Sequence, residues 1–234
     1  EGARIWWPNK DHITAEGDSV KMTYTVPSNL VAVGNGKLRS VKNIGEKTSY
    51  EWFVSNPINN YNISVQIGNY VAVQDTFIKD NQTHFMNHYV LDYNKELASN
   101  FFPQSKEVIR FYEKYFGDYQ WYEDGYKLIE VPYLGMEHQS AVTYGNGFSM
   151  YNGVRSKSWP MYGVIDPLII HETGHEWFGN SVTASDPTHI WIHEGLQVYS
   201  ESIYFEDKFN SYEVGVHYLN TIKNRIVNEI PIVG

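Results

Sequence analysis

His171-Glu172-Thr173-Gly174-His175 limits the local fold more than any other stretch of the sequence. Residues at i and i+4 share one face of an α-helix, so in a helix both imidazoles point the same way and can reach one ion. The lead-in Leu168-Ile169-Ile170 is apolar, so one face of that helix is expected to be buried. Asp166 and Pro167 form a start signal ahead of Leu168, and Gly179-Asn180 a stop after Phe178. Glu172 follows the first histidine directly. It is expected to project to the side of the ion, where it can face a bound water. The same pattern also occurs on ordinary helix surfaces, and a further ligand is what separates the two readings.

Zinc takes neutral imidazole nitrogen, and a catalytic zinc site carries three protein ligands and a water. The third ligand must come from elsewhere in the chain. Glu194 is the natural candidate, nineteen positions after His175 in a second helical segment, Ile190-Trp191-Ile192-His193-Glu194-Gly195. A carboxylate among Trp191, Ile192 and Leu196 is costly to bury unless it is paired or coordinates a metal. His193 is expected to be structural, since adjacent helix residues point about 100° apart.

The sequence excludes several classes. Its 234 residues contain no cysteine, which rules out disulfides, thiolate metal sites and a cysteine nucleophile. The formal net charge of −9 repels phosphate backbones, so no nucleic-acid partner is expected. No apolar run approaches the length of a membrane span. No targeting segment is visible, and the cellular address and oligomeric state are left open. Gly-Asn-Gly occurs at 34–36 and at 145–147 without a Lys-Ser/Thr continuation, so both are read as turns rather than phosphate loops. Asn62-Ile63-Ser64 and Asn81-Gln82-Thr83 fit the glycosylation triplet.

Strand patterns fill the first third. Val20, Met22, Tyr24 and Val26 alternate with polar residues, and Leu30–Val33, Ser49–Val54, Ile63–Ile67 and Tyr70–Ile78 follow between turns. Helical spacing covers Lys106–Phe116, with Gly117 as its stop, then Leu168–Phe178, His189–Phe205 and Tyr212–Asn228. Lys127–Val131 and Met136–Tyr144 read as extended. Strands first and helices later predict an α+β chain, an antiparallel β-rich N-terminal piece followed by an α+β piece, with a boundary near residues 73–78.

The stretch from His171 through Glu176-Trp177-Phe178-Gly179-Asn180, with Trp191-Ile192-His193-Glu194-Gly195, resembles the gluzincin zinc aminopeptidase family. These are the relatives of aminopeptidase N and leukotriene hydrolase. Leu134-Gly135-Met136-Glu137-His138 is similar to the family's Gly-x-Met-Glu-Asn motif, with Leu134 and His138 departing from it. The resemblance implies one zinc ion held by His171, His175 and Glu194, with Glu172 as catalytic base. It implies that Gly135, Met136 and Glu137 lie on an edge strand lining the cleft, with Glu137 holding the free α-amino group of a peptide substrate. An edge strand can hold a peptide backbone, and a carboxylate at its end can pair with an ammonium.

The resemblance further implies that residues 1–76 form the C-terminal part of a β-sandwich-like domain. Residues 77–234 would be the first part of a thermolysin-like catalytic domain. The family's catalytic tyrosine lies in a Tyr-x-Lys-Gly setting, and no such stretch occurs up to Gly234. This chain alone is therefore expected to be a poor catalyst. A second amino-group anchor near Glu1 is left unassigned. A zinc endopeptidase shares every metal residue but needs no anchor at Glu137. A zinc-binding fragment with no turnover would not need a base at Glu172.

Overall fold

In the computed structural model, residues 3–148, 165–223, 226, 227 and 229 are described. Among them, the first part of the chain holds strands β1 (Glu16–Gly17), β2 (Val20–Pro27), β3 (Val31–Gly34), β4 (Lys37–Ile44), β5 (Lys47–Val54), β6 (Ile58–Asn59) and β7 (Val65–Gly68). The alternation read in β2 is real, since Met22 and Val26 turn inward and the residues between them stay exposed or half-buried. β2, β5 and β4 form an antiparallel sheet, while β3 pairs with β7 and β1 with β6. The turn at 34–36 serves close packing. Gly36 has φ +74°, and a Cβ there would stand 2.1 Å from the Phe53 carbonyl oxygen.

The second part holds β8 (Tyr70–Lys79), β9 (Gln82–Leu91), α1 (Lys95–Phe101), α2 (Gln104–Phe116), β10 (Leu128–Glu130), β11 (Gly135–Met136), β12 (Val142–Tyr144), α3 (Pro167–Gly174), α4 (Trp191–Phe209) and α5 (Tyr212–Lys223). Five strands make one sheet in the order β11-β12-β10-β9-β8, with β10 parallel to both neighbours. β11 is an edge strand, as the motif resemblance implies. The expected division at residue 76 falls inside β8, which pairs with β9 along its whole length. The change of sheet comes earlier, between β7 and β8.

Two apolar cores explain why the parts pack directly. One gathers Val108, Ile109 and Tyr112 of α2 with Ile169 and Ile170 of α3, Tyr204 and Phe205 of α4, and the inner face of the five-stranded sheet. The other joins Met22, Trp52, Val54 and Ile58 of the first part to Tyr70, Tyr89 and Ile129 of the second. The frequent aromatic rings are spent largely on these cores.

Several elements depart from the sequence-based expectations. β4 and β9 carry no clean strand signal in the sequence, because β4 is largely exposed on both faces and β9 buries His88 among its apolar residues. α1 also lacked a clear period. The stretch expected as extended from Met136 to Tyr144 breaks into β11 and β12 around an unpaired segment. α3 ends at Gly174 instead of Phe178, where the chain first tightens into i→i−3 bonds from Glu176 and Trp177 and then widens into i→i−5 bonds from Asn180, Ser181 and Val182. α4 begins at Trp191 after a 3₁₀ turn at Pro187–His189. The last expected helix is described to Lys223, and its remaining residues to Asn228 are only partly described.

Candidate active site

α3 begins as its sequence dictates. The Asp166 side chain accepts from the Leu168 N–H at 2.9 Å and Pro167 occupies the first turn. Leu168, Ile169, Ile170, Glu172, Thr173 and Gly174 are all buried, so α3 is enclosed on nearly every side while His171 keeps partial exposure. His171 lies on it and His175 caps its end, with their Nε2 atoms 3.3 Å apart. Glu194, in the first turn of α4, places a carboxylate oxygen 3.6 Å from His171 Nε2 and 3.8 Å from His175 Nε2. Ligands bound to one tetrahedral ion at about 2.0–2.1 Å stand about 3.3–3.4 Å apart. These three groups therefore fit one zinc-sized cation with little adjustment.

Both rings are already oriented for that task. His171 Nδ1 lies 2.7 Å from a carboxylate oxygen of the buried Glu201. His175 Nδ1 lies 2.8 Å from the Phe178 carbonyl, which can only accept. A proton on each Nδ1 leaves each Nε2 lone pair facing the shared locus. No motif in the sequence marks Glu201, although it stands seven residues after Glu194, two turns along the same helix face.

The expectation of a buried Glu194 is not met. Its side chain is 53% exposed, and Trp191 and Leu196 are exposed as well. Its closeness to the histidines, rather than a burial penalty, singles it out.

Glu172 is buried. Burial pushes its carboxyl up to about 8, with His171 opposing the shift and Glu137, Glu194 and Glu201 adding to it. Burial works against a charged His171, yet Glu201, Glu172 and Glu194 carry it up to about 9. Burial and the charge of His171 lower His175 to about 4. So many carboxylates around two imidazoles favour a positive charge between them. Gly135 makes room for Glu172, since a Cβ there would stand 2.6 Å from Glu172 Oε1.

Glu137 follows the edge strand directly. Its carboxylate lies within 4.8 Å of ligand atoms of Glu172 and His175. Burial raises it, offset by its own backbone N–H, His193, His171 and the Tyr61 hydroxyl. It lies in the wall of a cleft of about 400 Å³, with Ile13, Tyr61, Met136, Ile190 and His193 also lining it. His193 Nε2 accepts from the Ala184 N–H at 2.9 Å. His138 is lowered to about 4 by burial and its Nδ1 has no hydrogen-bond partner.

Helix packing depends on Gly174, where a Cβ would meet Tyr112 Oη at 2.1 Å and Gln197 Nε2 at 2.6 Å. Gln197 Nε2 donates to the His171 carbonyl at 2.7 Å, tying α4 to α3 beside the site. Among the described residues, no helix is long and apolar enough to cross a membrane. Of the two glycosylation triplets, Asn62 is fully buried, whereas Asn81 is exposed in the turn between β8 and β9.

Comparison with known proteins gives the family and the fold. The sequence pattern of the Peptidase family M1 domain matches residues 101–229. Aminopeptidase M1-D of Oryza sativa subsp. japonica is 22% identical over 204 residues, covering 86% of this chain and 23% of that protein. Endoplasmic reticulum aminopeptidase 2 of Homo sapiens is 31% identical over 140 residues, covering 55% of this chain and 14% of that protein. In fold, the chain is similar to the M1 zinc metallopeptidase from Deinococcus radiodurans, with a TM-score of 0.79 at 18% identity. That likeness covers 100% of this chain and 50% of the other. The chain spans about a quarter or less of the length of these curated relatives.

Proposed function

The chain belongs to peptidase family M1, the family of the zinc metallopeptidases it resembles in fold, and from that premise we propose that it is the metal-bearing part of a zinc-dependent aminopeptidase. The observation that carries this reading is the convergence of His171, His175 and Glu194 at 3.3–3.8 Å, with Glu172 and Glu137 buried beside them. Those three residues would hold one zinc ion. When bound, zinc supplies Lewis acidity and lowers the pKa of a bound water toward about 7.

The chain's own residues divide the remaining work. Glu172 takes a proton from the attacking water and returns it to the leaving nitrogen. It lies buried beside His175 and Glu137, where a carboxylate can take that proton. Glu137 holds the ammonium of a free peptide N-terminus, which supplies the positive partner that its burial calls for. Holding the terminus there sets the cut one residue in. Edge strand β11 offers unpaired backbone groups to an extended peptide. The substrates are then peptides with a free N-terminus.

The substitution Glu172→Gln in the full-length protein tests the base. Zinc content is expected to stay unchanged while turnover falls about 10²–10⁴-fold. Unchanged turnover would contradict the assignment.

A further inference from the structure

The segment that carries Glu137 has lost the support of its sheet. β11 pairs with β12 only at Gly135 and Met136, and the ladder resumes at Val142 in β12. Between them, one main-chain bond runs from the Ala141 N–H to the His138 carbonyl at 2.8 Å, and side chains supply further hydrogen bonds to the backbone. Asn180 Nδ2 donates to the Glu137 carbonyl at 3.0 Å. Asn35 Nδ2 donates to the Gln139 carbonyl at 2.7 Å, the Ser140 N–H donates to Glu176 Oε1 at 2.8 Å, and Lys127 Nζ donates to the Ser140 carbonyl at 2.7 Å. The position of Glu137 is therefore set by side chains from outside its own strand.

Asn180 is the junction of that arrangement. It lies just past the helix that carries both histidines, and its N–H donates to the His175 carbonyl at 3.0 Å. Its Nδ2 also donates to Glu176 Oε2 at 3.1 Å. Its Oδ1 accepts from Asn62 Nδ2 at 2.7 Å and faces the Tyr61 hydroxyl at 3.4 Å. Asn180 is almost fully buried, and so are Asn62 and Glu176. An amide is the side chain this place requires, because it must donate to a carbonyl and a carboxylate while accepting from a second amide.

We propose that Asn180 is a positioning residue that fixes the distance between the amino-group anchor Glu137 and the metal-binding histidines, and so selects peptides with a free N-terminus. The inference rests on the reading of Glu137 as that anchor. It extends it by assigning the control of the anchor to a residue of the metal-bearing segment. A peptide held at its ammonium presents its first peptide bond to the metal only if that spacing is kept.

The test compares Asn180→Ala, Asn62→Ala and Glu137→Gln in the zinc-loaded full-length protein, using one peptide in free and N-acetylated forms. Asn180→Ala is expected to keep its zinc, to raise KM for the free peptide about tenfold or more, and to narrow the preference over the acetylated form, with kcat changed much less. Asn62→Ala removes one contact to Asn180 and is expected to shift KM in the same direction by less. If Asn180→Ala does not fold, Asn62→Ala decides by the same readout. An unchanged KM in a folded, zinc-loaded variant overturns the proposal, and so does loss of zinc at unchanged KM. If Glu137→Gln leaves the preference for free peptides intact, the anchor reading itself fails. If Glu137→Gln abolishes the preference and Asn180→Ala leaves it unaltered, only the role of Asn180 fails.

Discussion

Glu201 holds the Nδ1 of His171 at 2.7 Å from the same helix that presents Glu194 to its Nε2. The two carboxylates stand two turns apart on α4, so one helix face supplies both the candidate ligand and the group that orients another ligand. Coupling of this kind would make the candidate metal locus sensitive to a residue outside its three candidate ligands.

Removing Glu201 should therefore weaken the metal. For Glu201→Ala, zinc affinity is expected to fall about 10–100-fold, read by competition with a chromogenic chelator. Wild-type affinity in the variant would show that the hydrogen bond does not prepare the ring.

Gly135 should matter through the space it leaves. A Cβ at this position would stand 2.6 Å from Glu172 Oε1, so Gly135→Ala has to displace the carboxylate or the edge strand. We expect kcat/KM to drop about tenfold or more with zinc content preserved. Activity at the wild-type level would mean that Glu172 has freedom to move without consequence.

The buried His88 gives a stability effect with a definite sign. Its Nδ1 accepts from the Leu128 N–H at 2.9 Å, and burial holds the ring down to about 3, with Asp75 opposing and Lys106 and Lys127 adding to the shift. The depressed value means that protonation favours the unfolded chain. The contribution is present above the ordinary value of 6.5 and is lost as pH falls from there toward 3. At about pH 4.5 the loss is on the order of 2–3 kcal/mol. Urea unfolding at pH 7.5 and 4.5 should show wild type losing that much more than His88→Gln. Equal losses in the two proteins would remove His88 as the cause.

Much of this site is legible in the sequence because its parts lie close together along the chain. His171 and His175 share a helix face by spacing alone, and the apolar run before them buries that helix. Glu194 lies near both histidines, as its spacing suggests, but its side chain is exposed rather than buried. Glu201 and Asn180 are harder to read, since their partners lie on other segments and nothing in a linear pattern marks a carboxylate or an amide as buried. The same limit hides β4 and β9, whose residues lack the clean alternation of β2. It also puts the division at residue 76 inside a strand, because the hydrophobic pattern of β8 does not reveal which sheet it joins.

If Glu137 and the metal locus together make an aminopeptidase, the products formed when the zinc-loaded full-length protein is incubated with one peptide, free and N-acetylated, will show it. Release of the first residue from the free peptide is expected, with little cleavage of the acetylated one. Equal cleavage of both forms at internal bonds would contradict it, keeping a zinc peptidase but removing the amino-group anchor.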